Sequence, residues 1–504
     1  MDNKTALTDR LWLGIGRAYK NNKTPFLAAL FTGLLAHGFA FTNKLLNHDE
    51  IESLFGKGAT VTSGRWGLEL VKLLFPDWSM PWIYGLLSVV LLAVSVCLIV
   101  RILSIRSKPL QALLGALMLA FPSVTGTFCF MFTSSAYALA FLFAVGSVYV
   151  YMFGRKLRLP LSVVLLAAAL GIYQAYISVA ACLYMLLMIE DALDKDASPV
   201  QIVLFGLRAL ALMAVSIAIY YGITQLVFLI TGAEFNSYVT DNVNGSESLL
   251  RRVRIAYDSF LYVFEFRNFA LISTEASRYI HIVLGALILL GLGGIAWRNR
   301  KLLNAALLFV LIALLPLAIE CMYLIMSKES IHTLVIYSFT AVYMLAIIVI
   351  ERLPGRSGRV YEDAVSLLLA VAALANVYYA NMVYLKLDLQ YENASAFYTS
   401  LCAQIKDTEG FDENSKLAIL GYQDNLLYIP QELDTELMMG SVHDLVNIYS
   451  RENFFRYYLG FDVPFADDEE LEKLETDSRV AAMSEYPYYG SVQKIDDYIV
   501  VKLG

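Results

Sequence analysis

The sequence predicts a polytopic α-helical membrane protein of about 11 transmembrane helices, with a small α/β extracytoplasmic C-terminal domain. Three observations carry this. Of the 504 residues, 58% are hydrophobic and only 16% charged, where soluble domains run near ~25% charged. Long apolar runs recur from residue 26 to residue 384. Beyond that, charge changes sign: residues 385–504 hold 9 Lys and Arg against 23 Asp and Glu, a net of −14, whereas the preceding 384 residues carry a net of +7. The shift divides the chain into a membrane domain, 1–384, with outer loops at 47–81 and 232–278, and a C-terminal domain, 385–504.

A helix needs about 20 apolar residues to cross a hydrocarbon core. That ruler gives eleven spans, at 26–46, 82–103, 109–126, 129–153, 159–174, 175–192, 203–231, 279–297, 302–325, 333–351 and 363–384. Pro122-Ser123-Val124-Thr125-Gly126 reads as the turn between the third and fourth. Only Gly171-Ile172-Tyr173-Gln174-Ala175-Tyr176 divides the fifth from the sixth, so 159–192 is either a hairpin or one long helix with a re-entrant piece. The basic N-terminal stretch precedes an apolar run without a small-residue cleavage site, so the first span is expected to be retained.

Lysine and arginine set the orientation. Arg10, Arg17, Lys20 and Lys23 precede the first span, and Arg101, Arg106 and Lys108 follow the second. Arg155, Lys156 and Arg158 follow the fourth, Arg298, Arg300 and Lys301 the eighth, and Arg352, Arg356 and Arg359 the tenth. With eleven spans all five clusters share one side. The N-terminus is therefore expected in the cytoplasm, and both long loops and the C-terminal domain outside. Polar residues gather at the outer span ends: Asn43, Lys44, Thr133, Ser134, Ser135, Gln174, Gln225, Glu320, Asn376 and Asn381. They mark either an interface or an outward-facing aqueous cavity, and the depth of Glu320 and His37 favours the cavity.

Loop 47–81 opens with His48-Asp49-Glu50. A carboxylate is costly beside hydrocarbon and is usually paired or functional there. Leu68 to Phe75 form an amphipathic stretch suited to the bilayer surface, and Trp66, Trp78 and Trp82 suit the headgroup level. Loop 232–278 offers Arg251, Arg252, Arg254, Arg267 and Arg278, balanced either by phosphate or by Asp258, Glu265 and Glu275. Lys328, Glu329 and His332 add a charged group on the same side.

In the tail, Tyr391 to Ile405 reads as an amphipathic helix, Leu417–Leu420 and Tyr498–Val501 as strands, and Asp467–Glu470 as a helix start. The five cysteines form no CxxC pair, and four lie in apolar segments as small buried hydrophobes. His48, Asp49 and Glu50 are too close in sequence to make a good metal cage, so neither metal nor cofactor is expected. No nucleotide-binding glycine fingerprint occurs, and no nucleic-acid partner is expected.

The HDE after span one, the SGRW at 63–66, FMFTSSAYALAFLFAV at 130–145, GIYQAYISVA at 171–180 and YGSVQKIDDYIVVKL at 489–503 together resemble the bacterial Gtr type II (serotype-converting) glucosyltransferases of the GT-C superfamily. The resemblance implies sugar transfer from a polyprenyl phosphate to a surface polysaccharide on the outer face, with an acidic residue of the first outer loop as base. It implies two pathway partners, a small flippase and a polyprenyl-phosphate glucose synthase. The family's acidic motif is commonly an Asp pair, and here its second member is Glu50.

The chemistry of the residues agrees. A sugar hydroxyl attacking an anomeric carbon needs a proton acceptor and cations near the departing phosphate. Asp49 is the candidate base, with Glu50 positioning the acceptor or sharing that role. Arg65, then Lys328, His332, Arg251 and Arg254, are the candidate phosphate ligands. His48, Trp66, Tyr137, Gln174, Tyr176 and Glu320 are the candidate cavity or acceptor residues. Against these stand a solvated helix end for Asp49 and headgroup anchoring for Arg65. The competing function is a lipid-linked oligosaccharide transporter or flippase, which would favour internal repeats and interrupted helices; no repeat is seen.

Overall fold

The computed structural model describes residues 7–55, 60–76, 78–242, 248–265, 274–325, 333–353, 356–412, 414–421 and 445–503. The N-terminal part holds α1 (Leu7–Thr42), α2 (His48–Glu52), α3 (Trp66–Val71), α4 (Pro81–Ile102), α5 (Lys108–Ala120), α6 (Pro122–Cys129), α7 (Met131–Phe153) and α8 (Arg158–Ile172). It continues with α9 (Ile177–Ala192), α10 (Pro199–Thr231), α11 (Ser237–Asn242), α12 (Leu249–Glu265), α13 (Thr274–Asn299), α14 (Leu302–Ile319), α15 (Ala341–Arg352) and α16 (Arg356–Lys406).

Among the described residues nine helices are long and apolar enough to cross a membrane. Two of the eleven expected spans are shorter. α8 has 15 residues and α15 has 12. The tenth segment starts as a 3-10 turn, Tyr337–Thr340, before α15, and every residue from 336 to 350 is buried inside protein. A segment enclosed by protein escapes the length rule set by lipid, because its polar groups meet protein partners; Ser338 Oγ, for one, donates to Ile319 O at 2.8 Å.

The expected turn at Pro122–Gly126 is instead helix α6. Proline suits the first helical position, where its missing N–H would be unpaired anyway, and it forces the preceding residue into an extended conformation. Phe121 is extended (ψ 140°) and ends α5, while the chain turns at Phe130 (φ −114°, ψ 65°). Residues 159–192 form a helical hairpin. Tyr173 (φ −151°, ψ 109°) breaks it, and α8 packs back along α7.

Hydrogen bonds bring the basic loops to one end of the bundle. Glu351 Oε1 accepts from the N–H groups of Arg106 (3.0 Å) and Ser107 (2.7 Å), and Arg352 pairs with Glu190 at 2.7 Å. Asn304 Nδ2 reaches the carbonyl of Asp194 at 3.2 Å. The opposite end carries α2, α3 and the C-terminal domain.

At that end several polar side chains bond back to their own helix. Asn43 Nδ2 donates to Phe39 O, Thr133 Oγ1 to Phe130 O, and Ser134 Oγ to Met131 O. His37 is fully buried and engaged at both ring nitrogens, accepting from Tyr384 Oη and donating to Leu119 O, each at 2.7 Å.

The amphipathic stretch expected from Tyr391 is no separate helix, because α16 runs unbroken for 51 residues from the bundle into the C-terminal domain. There β1 (Lys416–Leu420), β2 (Val492–Ile495) and β3 (Tyr498–Lys502) form a sheet ordered β1-β3-β2, with β1 and β3 parallel and β2 and β3 antiparallel. α17 (Arg451–Asn453) leads into a π-helical turn, Phe454–Tyr458. α18 (Asp468–Glu475) starts with a capping box between Asp467 and Glu470, and α19 (Ser478–Ala481) follows.

Candidate active site

The site is built around α2, a helix of five residues. So short a helix does not persist alone, because nucleation costs more than one turn returns. Asn47 caps it, its Oδ1 accepting from Glu50 N at 2.8 Å and its Nδ2 donating to Cys129 O. Glu50 points into the bundle and is fully buried. Its Oε1 pairs with Lys44 and accepts from Ser79 Oγ, and its Oε2 accepts from Phe132 N–H at the start of α7 (3.3 Å). Charge-assisted bonds of this kind offset the desolvation of a buried carboxylate.

Asp49, one residue earlier, faces the other way. Its side chain is 54% exposed, with His48 Nε2 at 3.5 Å. A shallow depression beside Lys44, lined among others by Asn43, Pro81, Phe128 and Met131, opens at the same end; Asp49 is not part of its lining. Among the described residues no three His, Cys, Asp or Glu side chains gather as a metal site.

Other residues in and around α2 pack against the C-terminal region. Ile51 and Leu46 are buried in one cluster with Tyr398, Leu401, Phe454 and Phe455. Glu52 accepts from Asn453 Nδ2 at 2.8 Å, and Phe55 meets Tyr457 edge-on at 5.3 Å. Burial pushes the Tyr458 phenol well above its usual range, and the nearby Glu50 carboxylate pushes it further.

The SGRW segment forms a second group, seated on α7 and on the break between α8 and α9. Arg65 donates to Tyr137 Oη at 3.0 Å and lies 5.5 Å over the Tyr173 ring, which stacks on Tyr137 at 4.3 Å. Gln174 Nε2 donates to Ser63 O and Tyr220 Oη, both at 3.0 Å, and Asn236 Nδ2 donates to Ser63 Oγ at 3.2 Å. Gly64 has φ +68°, a conformation that favours glycine, and a Cβ there would sit 2.7 Å from Tyr220 Oη. A Cβ on Gly171 would come within 2.5 Å of the Trp66 ring. Trp66 therefore packs onto the bare backbone of Gly171, whereas Trp78 and Trp82 are exposed. Phe132 and Tyr137 are five residues apart, about 7.5 Å along α7, so one helix carries both the Glu50 and the Arg65 contacts.

Residues 38–395 match the family model described as Glucosyl transferase GtrII. The chain belongs to the Glucosyl transferase GtrII family. No curated protein and no solved structure matches it. This GtrII chain, with its apolar helices, is a membrane glycosyltransferase. The matched stretch takes in α2, SGRW and the 171–180 segment; the 489–503 motif lies beyond it, in the hairpin of β2 and β3.

Of the other expected GtrII site residues, Tyr176, Glu320, Arg251 and Arg254 sit on, or at the end of, elements other than α2. Tyr176 is buried, meeting Phe141 at 5.4 Å and Tyr173 at 5.1 Å. Glu320, almost fully buried at the end of α14, has an Oε1 without a hydrogen-bond partner among the described residues. It lies within electrostatic range of Cys182 and Cys321. Arg254 is exposed and pairs with Asp258 at 3.4 Å; Arg251 is exposed on the same helix, α12. Lys328, His332 and Arg267 lie outside the described residues. Reading the sequence singled out neither Ser79, Tyr220 and Asn236 nor Lys386, which is buried on α16 and shares with Glu50 an electrostatic influence on Cys129. A lysine just past a span reads as an interfacial side chain, so the sequence held no signal for its burial.

Proposed function

We propose that this protein transfers a sugar, glucose by its family, from a polyprenyl-phosphate donor to a cell-surface polysaccharide such as an O-antigen or cell-wall glycan, at the membrane face carrying α2. The observation that supports this most is the division of labour on α2: Glu50 is buried and multiply bonded, while Asp49 stays half-exposed on the open face. In this reading Asp49 takes the proton of the attacking acceptor hydroxyl. The hydroxyl oxygen bonds to the anomeric carbon as the bond from that carbon to the phosphate oxygen breaks. Polyprenyl phosphate leaves with the electron pair, and a single displacement inverts the anomeric centre. Arg65, a planar guanidinium held beside Tyr137 and suited to bidentate contact with phosphate, is the first candidate to bind the leaving phosphate.

The gathering of Arg101, Arg106, Lys108, Arg352 and Arg359 at the opposite end supports a cytoplasmic position for that end, in a bacterial inner membrane. The exposed Leu70, Leu73, Leu74, Trp78 and Trp82 fit contact with lipid near the site. A flippase and a polyprenyl-phosphate glucose synthase would deliver the donor, and no metal or nucleotide is required. The test is purified protein in vesicles with polyprenyl-phosphate glucose and acceptor polysaccharide, without any transmembrane gradient. Glucosylated acceptor is the expected product; movement of the lipid donor between leaflets without transfer would support a transporter instead.

A further inference from the structure

We infer that the π-helical turn Phe454–Tyr458, with Asn453 before it, is a positioning element that holds α2 in its working orientation. The C-terminal domain, beyond the family-matched stretch, would then be part of the catalytic apparatus. The inference rests on the reading of Asp49 given above.

α2 is held from two sides. Asn47 and Glu50 tie one side to the bundle. Leu46 and Ile51 tie the other to the core containing Phe454 and Phe455, and Glu52 and Phe55 meet Asn453 and Tyr457. Asp49 is left on the free face between them. A π-helical turn is a rare local structure that occurs frequently at functional sites. Here it buries Phe454 and Phe455 completely, while Tyr457 stays partly exposed against Phe55 and Tyr458 comes within electrostatic range of Glu50. Because α2 has little stability of its own, its orientation depends on these contacts, and displacement of a catalytic group by about 1 Å costs on the order of 10²-fold in rate.

Phe55 and Tyr457 are both partly exposed, so truncating either leaves the cores intact. The test is a double-mutant cycle of Phe55→Ala and Tyr457→Ala in the full chain, with Tyr457→Phe as the conservative variant and Val480→Ala, in the far core of the C-terminal domain, as a structural control. Each single variant should lower kcat about tenfold or more with donor KM unchanged, and the double variant should lose no more than either single one. Tyr457→Phe should retain activity, and hydrogen exchange in the peptide spanning residues 46–52 should quicken in Tyr457→Ala but not in Val480→Ala. Unchanged kcat and unchanged exchange in Tyr457→Ala would overturn the inference, as would a loss matched by Val480→Ala. Asp49→Asn run alongside separates the two readings. Full activity there removes Asp49 as base and leaves the exchange result standing, whereas an inactive Asp49→Asn beside fully active Tyr457→Ala removes only the positioning role.

Discussion

Asp49 and Glu50 are adjacent in sequence and opposite in environment: the Glu50 carboxylate is fully buried against Lys44, Ser79 and the Phe132 N–H, while the Asp49 carboxylate is half-exposed. Successive residues of a helix project about 100° apart, so a short helix pressed between two bodies can bury one carboxylate and present the next. This relationship separates an anchoring role from a chemical one.

Glu50→Gln is predicted to act on stability first. It leaves the part-buried Lys44 facing a neutral amide, and losing a hydrogen bond to a charged group costs about 1.5–3 kcal/mol. The thermal midpoint in detergent should fall clearly, and transfer per folded molecule should fall less than in an Asp49 variant. An unchanged midpoint would contradict the anchoring role.

Gly171→Ala should destabilise the seat of the SGRW segment. Its Cβ meets the Trp66 ring at 2.5 Å, and overpacking of this kind costs about 1–3 kcal/mol. Gly222→Ala, on α10 with nothing within 4 Å of the new Cβ, is the control and should be neutral or better. Thermal unfolding and transfer assays on the pair check both.

His37→Ala should lower stability without a specific effect on transfer. It strands the Leu119 carbonyl among buried residues and removes the acceptor of the Tyr384 hydroxyl, at about 1–3 kcal/mol per unsatisfied group. A loss of transfer in fully folded His37→Ala protein would assign this histidine a part in the chemistry.

The C-terminal sheet should loosen in acid. Lys416, the Asp467 N–H and Tyr498 hold Glu470 down at about 2, against an ordinary 4.5. A depressed acid contributes fully above its unfolded value and loses that contribution as pH falls through its folded value, so the window runs from about 4.5 down to about 2. Hydrogen exchange in β1 and β3 should quicken across that range, and Glu470→Gln should flatten the change.

How much of this was legible follows from the physics of each signal. Apolar runs expose the long helices because lipid imposes a length, and α15 fell short of that length because protein encloses it. The composition change at 385 is real, yet α16 crosses it unbroken, since a helix responds to local propensity rather than to net charge. The strands expected at 417–420 and 498–501 stood out as short apolar runs between turns, and the structure extends each by one residue, to Lys416 and Lys502. The opposed faces of Asp49 and Glu50 could not be read, because Asn453 and Tyr457, some 400 positions away, help set them.

The most direct test of the account is sugar transfer by Asp49→Asn, measured on purified, folded protein with polyprenyl-phosphate glucose and acceptor polysaccharide. Loss of a general base predicts a fall of about 10²–10⁴-fold in kcat with an unchanged thermal midpoint, since the Asp49 side chain is half-exposed, with His48 beside it. Near-normal transfer by that variant would contradict the central claim.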